Sequence, residues 1–209
     1  METSISKLLA ISGEPLASAG ANKPDRASGR LGGELTELLQ CANGFYAFES
    51  ALHVYPACSG SGVLSQEDWN DAQLWRAGYG GMADGYLFFA EDAFGGQFGI
   101  KGETIFAFDP ETGEVSPFAA SLEEWASRLL ADFEVETGFP LMHEWQSQKG
   151  QLQQGLRLLP KRPFVLGGDY SVDNLYALDA VKGMRLRADL AVQIRDLPDG
   201  AVIKYSVSD

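Results

Sequence analysis

Apolar positions recur at two spacings along this chain, and each spacing points to an element type. Residues 4–11 form one short apolar element. Residues 12–33, rich in Gly, Ala, Ser and Pro, read as an arm or loop. Helical spacing begins at Glu34 and runs to Gln40, and Asn43-Gly44 supplies the left-handed stop. Two brief apolar runs follow, 45–48 and 51–55, the second ended by Pro56. Ser65-Gln66-Glu67-Asp68 has the form of a capping box, after which Trp69, Ala72, Trp75 and Arg76 keep helical spacing until the glycines between 78 and 81. The run 86–90 is apolar throughout and predicts a central strand. Residues 97–100, 104–108 and 115–118 predict its neighbours, with Asp109-Pro110-Glu111-Thr112-Gly113 as a turn. Short connections of this kind favour an antiparallel meander. Ser121-Leu122-Glu123-Glu124 caps a helix with Leu122, Trp125, Leu129 and Phe133 on one face.

The composition changes after Thr137. A Gln-rich helix is expected over 140–154, stopped by Gly155, then a strand at 163–166 turned by Gly167-Gly168-Asp169. Residues 170–178 read as extended. Val181, Met184, Ala188, Ala191 and Ile194 repeat at helical spacing, and residues 201–207 alternate like a closing strand. The expected fold is α+β: a mostly antiparallel meander flanked by helices, with a C-terminal α/β extension. The division is an N-terminal arm at 1–30, a core domain at 31–133, and a helix-strand-helix-strand extension at 134–209.

Charge sharpens this picture. The 209 residues carry a formal net charge of −13. Between positions 31 and 125, fifteen carboxylates face only Arg76 and Lys101, whereas 134–209 is nearly balanced. Such a field repels nucleic-acid phosphates and anionic membranes and favours basic protein partners. No apolar run approaches the length that spans a bilayer, and no secretory signal is legible at the N-terminus, so a cytoplasmic location is expected. Two cysteines, Cys41 and Cys58, rule out a disulfide scaffold and a four-cysteine zinc site.

Catalytic patterns are weak. Gly60-Ser61-Gly62 and Gly95-Gly96 lack the spacing of a phosphate loop or a nucleophile elbow. Glu91 and Asp92 end a strand, where adjacent side chains point to opposite faces, which argues against an acid–base pair. His143 lacks a second His at Ser147, as a zinc protease helix would require. His53 reads as a hydrogen-bonded core histidine, Cys41 as core packing, and Trp69, Trp75 and Tyr79 as core more than ligand groove. Lys161-Arg162 and Arg185-x-Arg187 read as solvated faces or salt-bridge partners. No catalytic, cofactor or metal residue is assigned.

Several stretches taken together carry a family resemblance. They are Cys41-Ala42-Asn43-Gly44-Phe45-Tyr46, Trp69 with Trp75-Arg76, Phe88-Phe89-Ala90-Glu91-Asp92-Ala93-Phe94-Gly95-Gly96-Gln97-Phe98, Phe108-Asp109-Pro110-Glu111-Thr112-Gly113-Glu114, and the helix from Ser121. They resemble the SUKH superfamily of Smi/Knr-like proteins over about residues 31–133. The resemblance implies an α+β protein-binding domain without catalytic apparatus. Among bacterial members, it implies an immunity protein that neutralises a cognate secreted toxin, often a basic nuclease. A regulatory scaffold module is the alternative, and a metal-dependent hydrolase using Glu91, Asp92 or Asp109 a more remote one. The carboxylates expected to meet a partner are Asp84, Glu91, Asp92, Asp109, Glu111 and Glu114.

Overall fold

A computed structural model describes residues 3–18, 29–59, 62–198 and 200–201. Helix α1, Ser4–Ala10, starts at Thr3, whose hydroxyl accepts from Ser6 N. Leu8 is fully buried in the core, and Glu123 accepts from the backbone N–H of Ser4 and Ile5, fastening α1 to the helix that carries Glu123. Helix α2 spans Gly29–Cys41, beginning five residues before the expected start at Glu34. The cause is Leu31, fully buried with Leu35 and Leu38 below it, so burial extends the helix through the glycines at 32 and 33 despite their low propensity.

Strands β1 Phe45–Ala47, β2 Leu52–Val54, β3 Leu87–Glu91, β4 Gln97–Lys101, β5 Thr104–Phe108 and β6 Val115–Ala119 form one sheet in sequential order. Every pairing is antiparallel, the arrangement expected from the short turns. All five positions of β3 are buried because both faces of the sheet are covered. On one face, Phe89 and Phe98 pack edge-on against Trp125 of helix α4, Leu122–Ala131, together with the leucines of α1 and α2. On the other, Phe88 and Phe108 meet Trp75 and Tyr79, and Met184, Ala188 and Ala191 of helix α7, Ala180–Ile194, close the layer.

Ser65 caps helix α3, Gln66–Trp69, with both halves of the capping box made. The helix ends there and does not continue to Trp75 as its spacing implied. Asn70 is drawn inward instead: its side chain accepts from Phe88 N and donates to Phe88 O beside the register shift in β3. A 3-10 turn at Arg76–Tyr79 replaces the expected second half. Helix α4 also ends early, and Asp132 in a non-helical conformation separates it from helix α5, Phe133–Thr137, so Phe133 lies outside the face formed by Leu122, Trp125 and Leu129.

The C-terminal elements differ most from expectation. Helix α6, Phe139–Lys149, stops at Gly150 and not at Gly155. The first strand here is β7, Leu156–Pro160, and it pairs with β8, Leu175–Asp179. Residues Phe164–Leu166, expected as a strand, form a 3-10 turn, because Gly167 adopts φ +77° and folds the chain back to Phe164 and Pro163. The described order is therefore helix, strand, strand, helix. The expected strand at 201–207 lies outside the described residues, apart from Ala201. Leu158 N donates to Ala93 O, so the small sheet grips the β3–β4 turn directly. Among the described residues, no helix is long and apolar enough to cross a membrane.

Candidate functional site: an acidic cleft with an apolar rim

Glu91 and Asp92 point to opposite sides of the β3 end, and the two sides have different chemistry. Glu91 faces inward. Its carboxylate lies 2.8 Å from Arg157 Nε and 3.0 Å from His53 Nδ1, and all three side chains are nearly inaccessible to water. Burial pushes the carboxyl up, but the Arg157 charge and the His53 contact outweigh it and hold the group down at about 2. His53 is held below its ordinary value, chiefly by burial. A carboxylate can only accept, so Nδ1 of the neutral imidazole carries the proton and Nε2 is left as a buried acceptor without a partner. Tyr46 and Tyr55 enclose the imidazole with ring centroids 4.4 Å away on each side. This network is closed to substrate and joins β2 and β3 to β7; it is a structural strut.

Asp92 faces an open cleft of about 590 Å³. The β3–β4 turn, the β5–β6 turn, α5, the 3-10 turn at Phe164–Leu166 and Tyr170 form its walls. Asp92 Oδ1 accepts from Phe94 N and Gly96 N, both at 2.8 Å, which folds the carboxyl back onto the turn. Desolvation raises it to about 7 against the opposing backbone N–H groups and the Arg187 charge, and Glu91 adds a smaller push upward. Glu111 accepts from Val165 N at 2.8 Å and is also raised, mainly by burial. Asp109 and Glu114 are exposed on the same turn and make no ion pair with a described residue.

Of the six carboxylates anticipated from sequence, Asp92, Asp109, Glu111 and Glu114 thus share one cleft. Glu91 belongs to the buried strut. Asp84 lies elsewhere, in the turn before β3, where Lys101 donates to its carbonyl. The sequence reading missed the cleft's apolar half. Val115, Val135, Val165 and Tyr170 are four of the eight large apolar side chains left exposed among the described residues, and all four line this cleft. Tyr170 is 71% exposed and stacks on Phe164 with centroids 4.1 Å apart and planes 1° from parallel. Its hydroxyl is held above its ordinary value, first by desolvation and then by Glu111, Asp109 and Asp92. The floor holds Arg187, which is buried and donates to the Phe94 and Gly183 carbonyls, so it is not the solvated cation its spacing implied.

Other expectations resolve plainly. Trp69, Trp75 and Tyr79 are core, and His53 is a bonded core histidine. Cys41 is exposed and not packed inside, because α2 turns its leucines and not Cys41 toward the sheet. His143 is exposed and meets Glu49 at 2.8 Å. Among the described residues, no three His, Cys, Asp or Glu side chains converge as a metal site.

No family model matches the chain, and no curated protein matches it. A solved structure does: the crystal structure of Atu4351 from Agrobacterium tumefaciens is similar, with a TM-score of 0.57 at 14% identity over 87% of this chain and 86% of that one. At that identity the likeness speaks for the α+β fold alone.

Proposed function

We propose that this protein is a non-catalytic binding protein that acts in the cytoplasm as an immunity factor, neutralising a cognate secreted toxin by direct contact. The observation that supports this most is the coincidence of acid and exposed apolar surface at one concave site. Exposed apolar side chains scattered singly are ordinary; four of them rimming one cleft mark a contact surface. Carboxylates beside them steer a basic partner toward it and speed the encounter. The resemblance of residues 31–133 to SUKH proteins and the acidity of that region point the same way. The test is co-expression with the product of the adjacent gene, scored by cell survival, and calorimetry of the purified pair at two salt concentrations. Rescue with a one-to-one complex whose association slows in salt is expected. Absence of both rescue and binding refutes the reading.

A further inference from the structure

We infer that the cleft between Asp92, Asp109, Glu114 and Tyr170 is a receptor for an arginine side chain on a basic partner segment, with apolar neighbours of that arginine resting on Val115, Val135 and Val165. The inference rests on the binding-protein reading and names the chemistry that the surface takes. Three features converge on a guanidinium.

The first is electrostatic. Asp109 and Glu114 have no ion-pair partner among the described residues, and beside them lie Asp92, half-buried, and Glu111, buried. The one cation lining the cleft, Arg187, favours the charged forms of Asp92 and Glu111 but gives its hydrogen bonds to backbone carbonyls, and Asp109 and Glu114 form no ion pair with it. A cation entering from solvent is therefore the group that relieves this crowding. The second is shape. Tyr170 lies face to face on Phe164, which backs one side of its ring, and the exposed ring lies close enough to the carboxylates for its hydroxyl to feel three of them. A planar guanidinium can lie flat on such a ring while its N–H fork grips a carboxylate with two parallel bonds, whereas an ammonium has neither the plane nor the fork. The third is the rim. Val135 is 75% exposed on α5 and Val165 is 43% exposed on the 3-10 turn, so two separate elements of the lining offer apolar contact beside the carboxylates. A free amino acid would leave these contacts unused, whereas a peptide segment fills them.

The experiment is a backbone-amide NMR titration of the whole protein with three probes: acetyl-Val-Arg-Val-amide, its lysine counterpart and its citrulline counterpart. The arginine peptide is expected to bind in the millimolar range and to shift residues 92–96, 109–114 and 164–170. The lysine peptide should bind at least about fivefold more weakly, and the neutral citrulline peptide should not saturate. Glu114→Gln and Tyr170→Ala are surface changes that leave the fold intact; each should weaken arginine-peptide binding several-fold, while Asp84→Asn should not. Shifts centred elsewhere, equal binding of lysine and arginine, or indifference to Tyr170→Ala would overturn the inference. The same variants in the survival assay separate it from the broader reading. Rescue by wild type and undiminished rescue by the Glu114→Gln, Tyr170→Ala double variant would remove the cleft and leave the immunity reading standing. Peptide binding at the cleft without rescue would do the reverse.

Discussion

The guanidinium of Arg157 lies 2.8 Å from the carboxylate of Glu91, and both side chains are only 2% exposed. The pair joins the C-terminal hairpin to the end of the central strand in a place where neither charge can be solvated. Removing one partner strands the other, so Arg157→Met should cost about 3–5 kcal/mol of stability, read as a fall in the urea midpoint. Replacing both, with Glu91→Leu added, should recover most of that loss. A single replacement without effect would mean that water reaches the pair.

The two neighbouring carboxylates should give pH dependences of opposite sign. Glu91 is depressed to about 2 from an ordinary 4.5, so its stabilisation is present above the ordinary value and is lost as pH falls through about 2. Asp92 is raised to about 7 from an ordinary 3.8, so its contribution is present below the ordinary value and is lost as pH rises through about 7. Asp92→Asn keeps an acceptor for Phe94 N and Gly96 N while deleting the titration. Between pH 4 and 7 the variant should therefore lose less stability with rising pH than the wild type, as chemical denaturation at stepped pH would read it.

Gly44→Ala should be among the most damaging small changes. Gly44 has φ +70°, and a Cβ there would stand 2.6 Å from Pro56 N, a backbone atom that cannot swing aside. The left-handed conformation alone costs about 1–2 kcal/mol for an alanine, and the clash adds to it. A melting temperature within error of wild type would show that the turn can relax.

Asn70→Ala should leave both the N–H and the carbonyl of Phe88 without their side-chain partner. Each buried group stranded in this way costs about 1–3 kcal/mol. Amide exchange is the direct measurement, since protection of Phe88 should fall more than that of Phe98 on β4.

Much of the sheet was legible because its signals are local. The apolar run at β3, the turn residues 109–113 and the caps Ser65 and Ser121 each state their element within a few positions. The departures arise where distant contacts prevail over spacing. Leu31 extends α2 through two glycines for the sake of burial, and Asn70 leaves α3 to serve β3. The strand β7 was hidden because Leu156–Pro160 is too short to show a period, whereas Pro163 and the glycines at 167 and 168 mimic strand-bounding punctuation. The acidic half of the cleft could be read from charge along the chain. Its apolar half could not, since Val135, Val165 and Tyr170 come to the 109–114 turn only through the docking of the C-terminal elements.

The tip of the β1–β2 hairpin adds a consequence in time. Phe48, Glu49 and Ser50 all have positive φ, at 50°, 53° and 73°, a conformation that costs about 1–2 kcal/mol for each such residue. What holds it lies far along the chain: Gln146 donates to Glu49 O, His143 meets the Glu49 carboxylate, and Arg157 reaches Ser50 O across 107 positions. A nascent chain that has just exposed this hairpin has none of these clamps. At ribosomal rates of about 5–20 residues per second, the hairpin waits roughly 5–20 s for Arg157 to be synthesised. Its first strand is thus made early and secured late, so maturation of the N-terminal edge of the sheet is set by the arrival of the C-terminal third.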